Sequence, residues 1–285
     1  MIRQHRSGSR SARPAICLVI LALASILPAP LLHAQPDTKT SPFNGIAHVA
    51  FRVKDLAASV DFYEKLGFEQ AFDLRKDNIP YESFIKINDS QFIELHASGP
   101  ADTGPGFLSL CFEGVDLEAI HNDYLTHGLT PTDILKTNAG NLRFIMGGPV
   151  QPSGPQLIEY TQYLPGSLHR EDEGKHLGPD RIAEKLVAVS LPMADPTSAR
   201  DFYINQLNFK PIANDPMSMH MPGESGQEIE ILPATAGTHA RITLESSSLG
   251  KAARHLHKEG IFAVKNGATL TIIDPDGNVL LLETR

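Results

Sequence analysis

Three side chains stand where an unpaired polar group is costly. His48 lies in the apolar run Ile46-Ala-His-Val-Ala-Phe-Arg-Val53, Glu94 in Gln91-Phe-Ile-Glu-Leu-His96, and Glu159 in Gln156-Leu-Ile-Glu-Tyr160. A carboxylate buried without a partner costs several kcal/mol or more. Each glutamate therefore needs a metal ion, a cationic side chain or a proton. A divalent ion on a mixed nitrogen and oxygen set would polarise substrate oxygens. Pairing with Arg52 or Arg143 is the second answer. In the third, crowded carboxylates raise one another's pKa and yield a general base. A histidine on an apolar strand is by itself more often a hydrogen-bonded core residue than a ligand. Two glutamates at matched positions of repeated units shift the balance toward coordination. His96 lies two residues after Glu94 and so shares its strand face.

The elements that must position these groups recur along the chain. Asp61-Phe-Tyr-Glu-Lys-Leu-Gly-Phe68 returns as Asp201-Phe-Tyr-Ile-Asn-Gln-Leu-Asn-Phe209. An apolar strand precedes each copy, Ile46 to Val53 and Leu186 to Met193. Asp55 and Asp195 fit helix N-caps. Leu56, Val60, Phe62, Tyr63 and Leu66 then recur at helical spacing, and Gly67 ends the helix. Tyr63 and Tyr203 read as core aromatics, and His255 and His257 as part of a solvated basic face.

Two further units share this plan. They open with Leu108-Ser-Leu-Cys-Phe112 and Arg241-Ile-Thr-Leu244, run through helices near 117–127 and 249–259, and end at Tyr160 and Glu283. The pattern predicts an α+β chain of four βαβββ modules, paired into halves 43–163 and 184–285. An exposed linker, 164–183, rich in Gly, Pro and charge, joins them. Residues 147–155 read as a long loop before the Glu159 strand, either gating a site or a neutral insertion.

The formal charge of −8 argues against a nucleic-acid partner. Residues 1–14 carry four arginines and no acid, and an apolar run from Ala15 to Leu27 leads to Leu32-His-Ala34. This predicts a signal peptide cleaved after Ala34 and a periplasmic or secreted product. The run is shorter than the roughly 20 residues a membrane span needs, which predicts no stable membrane insertion after cleavage; an uncleaved anchor is the alternative. Cys111 then remains as a lone cysteine in an apolar strand, a small buried hydrophobe rather than a nucleophile. No phosphate-cradling glycine motif, Ser/His/Asp motif or CxxC pair is present.

The four modules, the His48-Val-Ala-Phe51 strand, the Phe62 to Phe68 helix end and Asp274-Pro-Asp-Gly-Asn278 resemble the vicinal oxygen chelate superfamily. That group includes glyoxalase I, bleomycin-resistance proteins, fosfomycin-resistance enzymes and extradiol dioxygenases. The resemblance implies two open-barrel domains, with a divalent ion (Zn, Mn, Fe, Co or Ni) held by His48, Glu94 and Glu159. Glu94 or Glu159 would take a proton alpha to a carbonyl. Ser109 stands where a histidine is usual, leaving room for water or substrate; His96 is the candidate replacement ligand. The matching positions of the second half are Ala188, Arg241 and Leu281, with only Glu230 retained, which implies a degenerate site.

The activity implied is that of an exported, metal-dependent, glyoxalase-like lyase or isomerase acting on a small oxygenated molecule. A metal-free binding protein of bleomycin-resistance type is the alternative. An extradiol-type dioxygenase ranks lower, because its ligand positions in the second half are lost. A small-molecule substrate is the expected partner, and a homodimer is compatible with the pattern.

Overall fold

The computed structural model describes residues 42–100, Asp102 and residues 104–285. The expected signal peptide lies outside the described residues. Among those residues no helix is long and apolar enough to cross a membrane.

The four predicted modules are present. The first comprises β1 (Phe43–Val53), α1 (Leu56–Lys65), β2 (Glu69–Lys76), β3 (Ile79–Asn88) and β4 (Gln91–Ala97). The second comprises β5 (Gly106–Gly114), α2 (Leu117–Thr126), β6 (Leu135–Lys136), β7 (Leu142–Gln151) and β8 (Gly154–Gln162). A short helix, α3 (Leu168–Glu171), follows. The third module runs through β9 (Lys185–Met193), α4 (Pro196–Leu207), β10 (Lys210–Ile212), β11 (Asp215–His220) and β12 (Glu228–Pro233). The fourth holds β13 (Arg241–Glu245), α5 (Leu249–Lys258), β14 (Ala263–Asn266), β15 (Thr269–Ile273) and β16 (Val279–Glu283). Asp55 and Asp195 cap α1 and α4 as expected, accepting from the amides of Ala58 and Ser198.

Each pair of modules forms one eight-stranded sheet. The orders are β2-β3-β4-β1-β5-β8-β7-β6 and β10-β11-β12-β9-β13-β16-β15-β14. Within a module the first and last long strands run parallel, and the modules meet through the antiparallel pairs β1–β5 and β9–β13. Strand alternation divides the residues of the first sheet. Val49, Phe51, Ile93, Leu95, Leu110, Phe112, Ile158 and Tyr160 pack into the core with Tyr63 and Leu66 of the α1 segment. His48, Glu94, Ser109 and Glu159 occupy the opposite, concave face and line one cavity.

The two halves share one hydrophobic core and one compact unit. Tyr63 donates to Asp274 at 3.2 Å, and Tyr203 donates to Gln156 at 2.8 Å. Both tyrosines are core residues, as expected, and their hydroxyls also bridge the halves. Gln91 bonds both the amide and the carbonyl of Leu186, while Gln227 reaches Leu186 and accepts from Ile46. Gly67, at φ 84°, lets the α1 terminus pass against the Asp180 and Arg181 backbone where a Cβ would collide.

Two sequence expectations are corrected. The segment 164–183 is not an exposed linker, because Ser167, His169 and Asp172 are buried. Fully buried Lys86 of β3 reaches Asp172 at 2.8 Å and anchors it. Nor do residues 147–155 form a long rim loop. They continue β7, with a register shift between Gly147 and Val150, and close a tight hairpin through the pairs Val150–Pro155 and Gln151–Gly154. Pro149 has no amide hydrogen to give the ladder and sits within that shift. Val150 instead accepts from the amide of Ala194, tying the hairpin to the second half.

Candidate metal centre

A cavity of about 410 Å³ opens on the concave face of the first sheet. All five residues proposed from sequence, His48, Glu94, His96, Ser109 and Glu159, line it. Register explains the convergence. Ala50 of β1 lies opposite both Glu94 and Ser109, and Cys111 lies opposite both His48 and Glu159.

His48 is only 3% exposed and stands between the two carboxylates. Its Nδ1 is 3.2 Å from Glu94 Oε1, and its Nε2 is 3.6 Å from Glu159 Oε1. Neither ring nitrogen makes an aligned hydrogen bond. Such a buried, unpartnered imidazole is uncommon, since buried polar groups are normally bonded. With carboxylates at both edges it fits the nitrogen and oxygen donor set that divalent transition ions prefer. The two ring nitrogens point away from each other, however, so Glu94 and Glu159 approach the ring from different sides. Among the described residues, ligand atoms lying within 4.8 Å of one another form two groups: His48, Cys111 and Glu159; and Glu82, Glu94 and His96.

Arginine pairing also operates. Arg143 Nη1 donates to Glu159 at 3.5 Å, whereas Arg52 pairs with Asp102 instead. Glu82, Arg143 and His169 complete the polar lining. His169 comes from α3 and is wedged among Phe72, Phe84, Phe92 and Tyr163. Asn141 bonds its Nδ1 at 3.0 Å. Burial holds this histidine neutral, far below its ordinary range.

The electrostatics follow from crowding. Burial, then the charge of Glu94, pushes the Glu82 carboxyl up to about 7. Burial alone would lower His48, but Glu94 and Glu159 outweigh it and raise its pKa. His96 rises likewise, with Glu94 and Glu82 overcoming burial. Glu159 is displaced downward, because His48 and Arg143 outweigh its own burial.

Glu82 thus binds a proton in the fold that the unfolded chain has lost between its ordinary value and about 7. Its contribution to stability therefore falls as pH rises through that window. In chelator-treated protein, Glu82→Gln should stabilise at pH 8 and be near neutral at pH 5. At 1.36 kcal/mol per unit the gain is roughly 3 kcal/mol, or a melting shift of about 6–12 °C. Melting curves of both proteins at the two pH values check this; a gain independent of pH would contradict it.

The second half carries no comparable arrangement. Ser190 pairs with Glu230 and Arg241 as Ala50 pairs with Glu94 and Ser109, so Arg241 stands at the place of Ser109. By the same register Ala188 replaces His48 and Leu281 replaces Glu159. The remaining Glu230 accepts from Arg241 at 2.9 Å and from Ser190 at 2.5 Å. Its charge is neutralised internally.

Residues 45–157 match the family described as Glyoxalase/Bleomycin resistance protein/Dioxygenase superfamily. No curated protein matches the chain. Among solved structures, an Mn(II)-bound glyoxalase from Novosphingobium aromaticivorans superposes with TM-score 0.64 at 17% identity, over 85% of this chain and 82% of that one. The 2,3-dioxygenase LapB from Pseudomonas sp. KL28 gives 0.58 at 17% identity, over 86% and 93%. The 2,2',3-trihydroxybiphenyl 1,2-dioxygenase from Sphingomonas wittichii gives 0.60 at 11%, over 85% and 91%. At these identities the likeness is one of fold.

Proposed function

Residues 45–157 form a domain of the Glyoxalase/Bleomycin resistance protein/Dioxygenase superfamily, and from that premise we propose that the chain is an exported, metal-dependent, glyoxalase-like enzyme. It would act by lyase or isomerase chemistry on a small oxygenated substrate. The observation that carries this reading is His48, buried without a hydrogen bond between Glu94 and Glu159. His48, Glu94 and Glu159 are the residues that would hold a divalent ion. Such an ion, when bound, stabilises negative charge developing on substrate oxygens.

The protein groups supply the rest. Ser109 and His96 face the cavity beside the ligands and are placed to touch substrate. Arg143 steadies Glu159 and offers positive charge to an oxyanion. A cavity carboxylate whose proton affinity lies near neutrality, as that of Glu82 does, can take a proton alpha to a carbonyl. Phe84 and His169, packed edge to face, add an apolar wall to the cavity lining. The export assignment rests on the basic and apolar pattern of residues 1–34.

One observation favours the metal-free binding alternative. Protonated His48, flanked by two carboxylates, with Arg143 on Glu159, leaves the cavity partly charge-balanced without an ion. Calorimetry with acetohydroxamate, a bidentate oxygen ligand, separates the readings. We expect at least about 100-fold tighter binding to zinc-loaded than to chelator-treated protein, about 2.7 kcal/mol. Equal affinity in both would favour the metal-free reading and overturn ours.

A further inference from the structure

We propose that the cavity holds a second cation position, formed by Glu82, Glu94 and His96, beside the one served by His48 and Glu159. This rests on the metal reading above and adds one ion to it. His96 Nε2 is 3.4 Å from Glu94 Oε2 and 3.7 Å from Glu82 Oε1. These two separations are close to the roughly 3.3–3.6 Å between neighbouring ligands of a tetrahedral ion with bonds of about 2.0–2.2 Å. The group shares Glu94 with the first position, and Glu82 and His96 are its own.

An independent feature points to ligands on both sides of His48. Its ring is buried, with Nδ1 3.2 Å from Glu94 and Nε2 3.6 Å from Glu159, and neither contact is an aligned hydrogen bond. A single ion occupies one nitrogen only. Glu94 presents Oε1 to His48 and Oε2 to His96, the disposition of a carboxylate shared between two neighbouring positions. Paired ions about 3.5–4 Å apart clamp two oxygens of one substrate.

Charge sets the class of molecule such a pair would take. Glu82, Glu94 and Glu159 bring three negative charges, and among the described residues Arg143 is the arginine paired with one of them. One divalent ion balances this set. A second makes the cavity positive and suited to a dianionic or enediolate-forming oxygen ligand.

The test is zinc stoichiometry of the tag-free mature protein at saturation, by equilibrium dialysis and elemental analysis. We expect two ions per chain, falling to one in Glu82→Gln and in His96→Ala. One ion in the wild-type protein would overturn the second position while leaving the metal-enzyme reading intact, as would two ions retained in both variants. No ion in the wild-type protein would overturn both readings.

Discussion

His48→Ala protein should bind zinc or manganese at least about 100-fold more weakly than the wild-type chain, measured by competition against a chromogenic chelator. Loss of a residue that merely orients a ligand already costs 10–100-fold in metal affinity, and a direct nitrogen ligand should cost more. His48 is flanked by carboxylates at both ring edges and makes no aligned hydrogen bond. Removing the imidazole also brings Glu94 and Glu159 face to face across a void. The apo variant should accordingly gain stability on acidification, as these carboxylates protonate. A core histidine with no ligand role would behave differently, since its loss would lower the melting temperature and leave metal affinity unchanged.

The largest effect on stability is expected at the buried Lys86–Asp172 pair. Lys86 is fully buried, and its ammonium donates to Asp172 Oδ2 at 2.8 Å, to the Asp172 carbonyl, and to Asp89 at 2.8 Å. Asp172→Ala removes the buried carboxylate and leaves that charge with a backbone carbonyl and the half-exposed Asp89. Breaking a buried pair in this way costs about 3–5 kcal/mol, which lowers the melting temperature by about 10 °C or more in a chain of this length. Asp61→Ala is the matched control. Its partner Lys65 is at 2.6 Å but both groups are exposed, so the loss should leave the melting temperature nearly unchanged. Equal effects of the two substitutions would show that Lys86 is reached by water. The same substitution should also loosen α3 and His169, so the cavity floor depends on this anchor.

The order of elements was legible because it is written twice at two scales. Asp-Phe-Tyr marks the start of each half, and apolar strands, capped helices and terminal glycines mark each module. Glu94 and Glu159 were legible because each breaks an apolar strand at the same phase. Glu82 was not, since Ile79-Pro-Tyr-Glu-Ser-Phe84 is mixed in polarity and marks no buried carboxylate. Its place beside the centre comes from β3–β4 register, which sets Glu82 opposite His96. That register depends on hydrogen-bonded pairing rather than on composition. His169 was hidden for another reason. Its glycine-rich, charged surroundings read as solvent-exposed, whereas the buried Lys86–Asp172 contact and the aromatic pocket around His169 draw them inward. Gly147 to Pro155 misled in the same way, because glycine and proline mark a β-bulge as readily as a loop. In the second half, the losses at Ala188, Arg241 and Leu281 were legible, but the pairing of Glu230 with Arg241 and Ser190 required the sheet.

Anomalous X-ray diffraction at the zinc edge, from crystals of the mature protein equilibrated with zinc, decides whether His48 is a ligand. An anomalous peak is expected in the first-half cavity, about 2.0–2.2 Å from a His48 ring nitrogen and from a glutamate oxygen. No peak is expected at Glu230 in the second half. Crystals that show no peak beside His48, under conditions where the fold is intact, would contradict the metal-enzyme reading.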